Sequence, residues 1–454
     1  MKQYMQNFIF SINSNSRGGA EPAFSNLSFD LTPPKHLLDE FVIVGNEYLD
    51  YTYKECQEEM NMLNKAFYEI MLEGDANGKP HSYPIPTYNI HERFDWDHPN
   101  NDLLWEMTGK YGTPYFTNYI NSDMDPSDAM SMCCRLRIDL RELRKRGGGL
   151  FGSGEKTGSI GVVTINLPRL AFLSSRLYPA NKDSAKKHFY QILAEYMDLA
   201  KDSLVVKRSF LEDQIERGLL PAFKEYVGTL DNHFSTIGLV GMNEMCHNLL
   251  GVGIKDEEGR QFSLEVLDFM RERIADYQEE TEDLFNLEAT PAESCAYRLA
   301  KVDKTEFGDE IFTMGVHDGL APYYTNSCHL PVDEVEDIMQ QIAHQEELQE
   351  KFTGGTVSHL YMNTSISGDV AKRIVKTVCE NFRLPYLSIS PVYSICPEHK
   401  FIHGYEPECP HCGEPTEQYQ RITGYIRQVS KFNIGKKAEF ADRTQLGPEL
   451  KNVN

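Results

Sequence analysis

The sequence predicts an α/β fold with parallel strands, and three observations carry that reading. Ile160 to Leu167 is a nearly unbroken apolar run rich in β-branched residues, the pattern of a strand buried on both faces. A long amphipathic stretch follows, with its apolar stripe at Phe189, Ile192, Leu193, Tyr196, Met197 and Leu204. Beyond it, strand-like and helix-like segments alternate as far as Ser390, and such alternation joins parallel strands through helical crossovers. Periodicity does not choose between an open sheet and a closed barrel.

Taken in order, Asn7 to Asn13 alternates like a strand, and Arg17 to Pro22 must turn. Residues 35–75 carry helical periodicity through Leu37, Leu38, Phe41 and Val42 and then Met60, Leu63, Phe67, Ile70 and Met71, with Gly74 and Asn77-Gly78 as the stop. Tyr83 to Asn89 reads as a strand within a Pro- and His-rich loop, and a helix is expected near 101–110. Gly147 to Gly154 is glycine-rich, but Lys156 follows Glu155 and no strand-then-helix context brackets it, so a turn is the reading rather than a phosphate loop. Further strands are expected at Ile237 to Val240, Val357 to Met362 and Tyr386 to Ser390, with helices from Leu264 to Phe285 and through Ile374 and Val378. No internal repeat or low-complexity linker appears, so the division is one large α/β part, 1–390, and a small C-terminal region, 391–454.

With 454 residues the chain is long enough for one large or two ordinary cores. Its formal charge of −23 repels polyanions, and no Lys/Arg stripe with interleaved aromatics offsets it, which argues against nucleic acid as a partner. An anionic substrate would need local Arg, Lys or helix N-termini. No run approaches the length of a membrane span and Met1 to Gln6 lacks a signal-peptide core, so no membrane contact and a cytoplasmic location are expected. Ten cysteines are too sparse for a disulfide framework, and three of them fall in one short stretch.

That stretch is Cys396-Pro-Glu-His399 and Cys409-Pro-His-Cys412, two ligand pairs with two spacers each, nine residues apart. Four such donors closing on one tetrahedral ion is a structural zinc pattern, with Cys396, His399, Cys409 and Cys412 as ligands and His403 or His411 as alternatives to His399. Twelve residues after Cys412 comes Gly424, between Thr423 and Tyr425. The bland reading of this residue is a turn glycine that needs a positive φ. The other is chemical: an α-carbon radical is stabilised between an amide nitrogen and a carbonyl, and only a residue without Cβ flattens there without a clash.

Arg421-Ile-Thr-Gly-Tyr-Ile426 just after a Cys-rich metal pattern resembles the glycyl-radical loop of anaerobic (class III) ribonucleoside-triphosphate reductases. Ser131-Met-Cys-Cys-Arg135, Gly161 to Arg169, Gly238 to Glu244, Thr290 to Glu293 and Tyr324 to Pro331 resemble further segments of that family, in family order. The similarity runs from about Phe8 to Phe440. It implies a ten-stranded α/β barrel, incomplete at its N-terminus, threaded by a finger loop. In that loop Cys134, the cysteine directly before Arg135, would become a thiyl radical fed by Gly424, with Cys133 the lesser candidate. Asn243, Glu293 and Asn326 would approach the substrate from strand ends and loops, each with a capping or turn role as the bland alternative.

The implied activity is reduction of ribonucleoside triphosphates to deoxyribonucleoside triphosphates for DNA synthesis. The implied cofactors are Zn2+ and a glycyl radical, the latter installed by an activase that uses S-adenosylmethionine and a 4Fe-4S cluster. Formate or a thiol redoxin would be the reductant, and a homodimer the assembly. Ser159 stands where formate-using members commonly carry Asn, which sets this chain apart from them. Family members also begin upstream of Met1, so a truncated gene product or one half of a split reductase is expected. The readings from other classes are a non-catalytic zinc-stabilised fragment and another glycyl-radical enzyme, such as a lyase of the formate-acetyltransferase kind. Cys246, Cys295, Cys328 and Cys379 read as core residues.

Overall fold

In the computed structural model, which describes residues 1–14, 22, 24–121, 129–131, 137–139, 157–315 and 319–447, the alternating stretch at Asn7 to Asn13 is helical rather than extended. It forms the second half of the helix Lys2–Asn13, whose Ile9 is completely buried where this helix packs on the helix Gln57–Glu73. Asn13 then clamps the chain by accepting from the Tyr83 backbone N–H at 3.1 Å. Burial of Ile9 and this tether override a period-two pattern that local sequence alone suggested. After β1 (Asn26–Phe29), helical periodicity fails again. Phe41 and Val42 belong to a hairpin, β2 (Phe41–Val44) and β3 (Glu47–Thr52), turned by Gly45 at φ 58° and Asn46 at φ 66°. Two left-handed residues of this type are a hairpin signal that the apolar spacing masked.

The expected helix does form over Gln57–Glu73 and stops at Gly74, whose φ is 70° and whose N–H donates to the Ile70 carbonyl. β4 (Ile85–Ile90) and β5 (Tyr115–Asn118) flank the helix Asn101–Tyr111. Phe29, Phe67, Tyr88, Trp105 and Phe116 make an aromatic core here, with Trp105 stacked on Phe116 at 5.5 Å.

β6 (Ala129–Ser131) and β7 (Arg137–Asp139) flank residues that lie outside the described ones, Cys133 and Cys134 among them. The glycine-rich stretch Gly147 to Gly154 also lies outside. By packing, the chain forms two units, one of residues 1–134, 357–432 and 445–454 and the other of 135–356 and 433–444. This partition is distinct from the division at residue 390 drawn from the sequence.

The second unit is built on three parallel strands, β8 (Gly158–Asn166), β9 (His233–Val240) and β10 (Phe285–Glu288), with β9 in the centre. β8 is a strand as expected but is not buried on both faces. Val162 is 48% exposed, and β9 is the only strand paired with β8 among the described residues. The helix Lys182–Glu216 is capped by the Asn181 side chain on the Ser184 N–H and buries Phe189, Leu193, Met197, Ala200 and Leu204. Tyr196, one residue off that line, is 50% exposed rather than part of the stripe. The helix expected from Leu264 to Phe285 is Glu257–Thr281, and Phe285 opens β10. Leu193, Met197, Ile237, Leu239, Leu267 and Met270 pack into one core between helices and sheet.

The chain returns to the first unit with β11 (Ser358–Met362), the helix Gly368–Asn381 and β12 (Tyr386–Pro391). They complete a five-stranded sheet of order β1-β4-β5-β12-β11, parallel throughout except where β12 runs antiparallel to β5. A separate antiparallel sheet follows, β13 (Tyr393–Cys396), β14 (Lys400–His403), β15 (Glu417–Arg421) and β16 (Ile426–Gln428), in the order β14-β13-β15-β16. Among the described residues no helix is long and apolar enough to cross a membrane.

Candidate functional site

Cys396 ends β13, and the chain reverses through Pro397 to His399 into β14, with Lys400 at φ 62°. Pro407 to Thr416 forms a second reversal in which the Cys409 N–H bonds the Glu414 carbonyl and the Gly413 N–H bonds the Cys409 carbonyl, each at 2.8 Å. The two turns bring one donor atom from each of Cys396, His399, Cys409 and Cys412 within 4.8 Å of one another. Cys396 Sγ lies 3.8 Å from Cys412 Sγ, and Cys409 Sγ lies 3.6 Å from His399 Nδ1. A tetrahedron with metal–sulfur bonds of about 2.3 Å has edges of about 3.8 Å, so these four residues fit a closed metal site. His411 lies tilted beside His399 at 5.1 Å and His403 meets Phe401 edge to face, and neither belongs to the cluster. Hydrogen bonding from the His399 backbone holds the Cys396 thiol below the ordinary cysteine range, which favours the thiolate that a metal requires.

β15 leaves this sheet and turns back into β16 across Ile422 to Tyr425, closed by the Ile422 N–H on the Tyr425 carbonyl at 3.0 Å. Gly424 sits at the tip. Its φ is outside the left-handed region, and a Cβ built on it would meet nothing within 4 Å. The turn therefore does not need a glycine, and neither the expected positive φ nor a close backbone approach accounts for it. Gly241 shows the contrast: at φ 75°, with Pro168 Cγ 2.3 Å from where a Cβ would stand, only glycine fits.

The Gly424 carbonyl accepts from the Tyr115 hydroxyl at 2.7 Å and from Arg421 Nη1 at 3.3 Å. Arg421 is 1% exposed and is held by the Ser390 hydroxyl at 3.1 Å and by the carbonyls of Gly112 and Thr113. Its guanidinium lies 4.3 Å over the Tyr115 ring.

In the second unit the carboxyl ends of the parallel strands carry the other candidates, the end at which ligands bind in parallel sheets. β9 leads through Gly241 into the helix Met242–Leu250, which begins with Asn243 and Glu244. β10 leads to Thr290 and the helix Glu293–Phe307. Asn243 is buried, and its Oδ1 accepts from the Ile254 N–H at 3.1 Å, so that atom ties down a loop. Glu244 is also buried. Its Oε1 accepts from the Thr325 N–H at 3.0 Å and hydroxyl at 2.6 Å, while loss of water pushes its carboxyl up to about 7. Asn326 Oδ1 accepts from Lys436 Nζ at 3.0 Å. Lys436 ion-pairs with Glu439, which Arg443 holds from its other oxygen at 2.8 Å, and burial leads in lowering the Lys436 amine below the lysine range. The Glu293 backbone carbonyl takes the Asn433 side chain at 3.2 Å, and its carboxylate acts on Lys436 through charge.

Asn326 and Glu293 thus form one polar group with Lys436 of the helix Ile434–Asp442, and Glu244 reaches it through Thr325, the neighbour of Asn326, while the Asn243 side-chain oxygen is taken by the Ile254 N–H. Cys134 lies outside the described residues, and Gly424 and the metal cluster belong to the first unit. The sequence reading missed Tyr115, Arg421, Glu244 and Lys436. Arg421 and Glu244 stand in segments that carry the resemblance, without a role in that reading, and the Lys436, Glu439 and Arg443 spacing is that of charges along one helix face.

The family model for anaerobic ribonucleoside-triphosphate reductase matches residues 1–445. The reductase of that name from Escherichia coli K12 is 24% identical over 420 residues, covering 84% of this chain and 53% of its own length. The one from Haemophilus influenzae is 25% identical over 315 residues, 63% of this chain and 42% of its own. The chain spans about half the length of the curated relatives it matches. A solved anaerobic ribonucleotide reductase aligns with TM-score 0.76 at 23% identity, covering 98% of this chain and 68% of that one. The Thermotoga maritima enzyme in complex with dATP and CTP aligns with TM-score 0.73 at 24% identity, covering 96% of this chain and 69% of that one. With the family model matched over almost all of its 454 residues, the chain belongs to the anaerobic ribonucleoside-triphosphate reductase family.

Proposed function

We propose that this protein reduces ribonucleoside triphosphates to deoxyribonucleoside triphosphates, with the radical stored on Gly424 and used on Cys134. The observation that carries the reading is the glycine at 424, which the turn does not require and whose carbonyl is held by two donors. Activation removes one hydrogen atom from Gly424 Cα, and a carbon radical derived from S-adenosylmethionine on an iron-sulfur activase takes it up. Cys134 then gives its sulfur-bound hydrogen to Gly424 and is left as the thiyl. The thiyl takes the ribose 3′-hydrogen, and the 2′-hydroxyl leaves as water with one proton. Two electrons with a second proton, from formate oxidised to carbon dioxide or a thiol redoxin oxidised to its disulfide, form the new C2′–H bond. Return of the 3′-hydrogen to the ribose leaves Cys134 as the thiyl again, and the thiyl takes back the Gly424 hydrogen, which restores both the thiol and the stored radical.

Asn243, Glu293 and Asn326 would contact the nucleotide, a role supported by Asn243 and Glu293 lying just past the carboxyl ends of β9 and β10. Cys396, His399, Cys409 and Cys412 would hold a structural zinc that pins the sheet carrying the Gly424 turn. A homodimer working in the cytoplasm completes the proposal.

The test is activation of the protein as isolated from its host, under strict anaerobiosis, with an S-adenosylmethionine activase. A glycine-centred doublet in electron paramagnetic resonance is expected, absent in Gly424→Ala. Cys134→Ser should keep the doublet and form no deoxynucleotide, because it breaks the relay after the stored radical. A doublet that survives in Gly424→Ala, or full turnover in Cys134→Ser, would defeat the assignment.

A further inference from the structure

We infer that Tyr115 and Arg421 are electrostatic positioning residues for the α-carbon of Gly424, tuning how strongly a radical there is held; the inference rests on the proposed radical role of that glycine. A glycine radical is stabilised by sharing its unpaired electron with the carbonyl on one side and the amide nitrogen on the other. The share on the carbonyl grows when that oxygen receives hydrogen bonds, since density moving onto oxygen then meets positive charge. Gly424 meets this requirement twice, through a neutral hydroxyl at 2.7 Å and a guanidinium at 3.3 Å. A charge-assisted donor exceeds a neutral one in strength at equal geometry, and preorganised donors act without reorientation when charge shifts.

Both donors are built in rather than borrowed from solvent. Tyr115 is 2% exposed and Arg421 1% exposed, on β5 and at the end of β15. The Arg421 fork is spread over the Gly112 and Thr113 carbonyls, the Ser390 hydroxyl and Gly424, so its plane is locked. Ser390 in turn contacts Ser388 at 3.3 Å, and Ser388 contacts His359 Nδ1 at 2.8 Å, which extends the network into the five-stranded sheet. The guanidinium over the Tyr115 ring couples the two donors, so displacing one disturbs the other. Holding a turn in place would not require a buried cation and a phenol on the one carbonyl next to the reacting carbon.

The expected consequence is a radical on Gly424 that is easier to form, longer-lived and less eager to take hydrogen from a thiol than one on an unassisted glycine. The experiment uses the full chain grown with glycine labelled by 13C at the carbonyl and activated anaerobically. In Tyr115→Phe the carbonyl 13C coupling should fall, and the doublet should decay about three- to ten-fold faster with a small thiol present, the factor that one lost hydrogen bond sets. Metal content should stay at the wild-type value and the melting temperature within about 2–4 °C of it, the shift that one lost hydrogen bond sets, whereas a loosened turn would lower both further. Arg421→Lys, which keeps the charge and loses the fork, should shift the same two readouts in the same direction and serves if Tyr115→Phe does not fold. A wild-type doublet with unchanged coupling and lifetime in the folded variants overturns this inference and leaves the radical role of Gly424 standing. No doublet in the activated wild type overturns that role itself.

Discussion

Glu244 is a carboxyl taken wholly out of water, with one oxygen on the Thr325 N–H and hydroxyl and its titration pushed up to about 7 by burial. Between about pH 4.5 and 7 the unfolded chain has released this proton while the folded chain keeps it. The stabilisation is therefore full below the unfolded value and is lost as pH rises to about 7, after which it is level. Glu244→Gln retains an oxygen for Thr325 and removes the charge. It should flatten that slope and exceed the wild type in stability at pH 8, by on the order of one to three kcal/mol. Urea unfolding at pH 5 and pH 8 measures this; parallel pH dependence in the two proteins would contradict it. Gly424 makes the complementary point at this scale. A glycine that neither φ nor crowding explains is informative because every conformational use of glycine leaves a trace in one or the other.

Among the elements, the sheet β13 to β16 is short and mostly edge, so little apolar burial holds its outer turns. At those turns the apolar cluster is Cys396, Ile402 and Cys409 alone, and two of the three are themselves donors of the four-residue cluster. Purified protein should carry about one zinc per chain, and Cys409→Ser or Cys412→Ser should lose it. Metal affinity at such sites is worth about 10–16 kcal/mol and is coupled to folding, so hydrogen-exchange protection over residues 393–428 should collapse with it. His411→Ala, outside the cluster, should keep both. Full metal content in both cysteine variants would sink the metal assignment. The helix Lys2–Asn13 and the hairpin β2–β3 teach a different lesson, because there the local pattern named the wrong element. In the helix, burial of Ile9 and the Asn13 tether to Tyr83 decided the outcome, and in the hairpin the Gly45-Asn46 turn did.

For the molecule as a whole, a formal charge of −23 means self-repulsion of the folded chain. Raising salt from about 0.01 to 0.15 M shortens the screening length from roughly 30 to 8 Å. The melting temperature should rise by about 2–4 °C across that range. A flat or falling trend would show that local ion pairs such as Lys201–Glu280 and Lys351–Asp268 outweigh the net charge.

The sequence by itself determined the α/β class, the strands at β4, β8, β9, β11 and β12, and the spacing of the four donor residues. These are properties of neighbours along the chain: apolar period, turn chemistry and ligand separation survive without knowledge of the fold. It also singled out Gly424 and Cys134, by motif. Tertiary structure decided what distance along the chain hides. Tyr115 stands 309 residues from Gly424 yet donates to its carbonyl, and Lys436 stands 110 residues from Asn326 yet holds its side chain. Neither pairing leaves a periodic signal, since a buried polar contact is set by which strand ends and helix faces the packing brings together, and β8, apolar enough for a central strand, keeps Val162 exposed for the same reason.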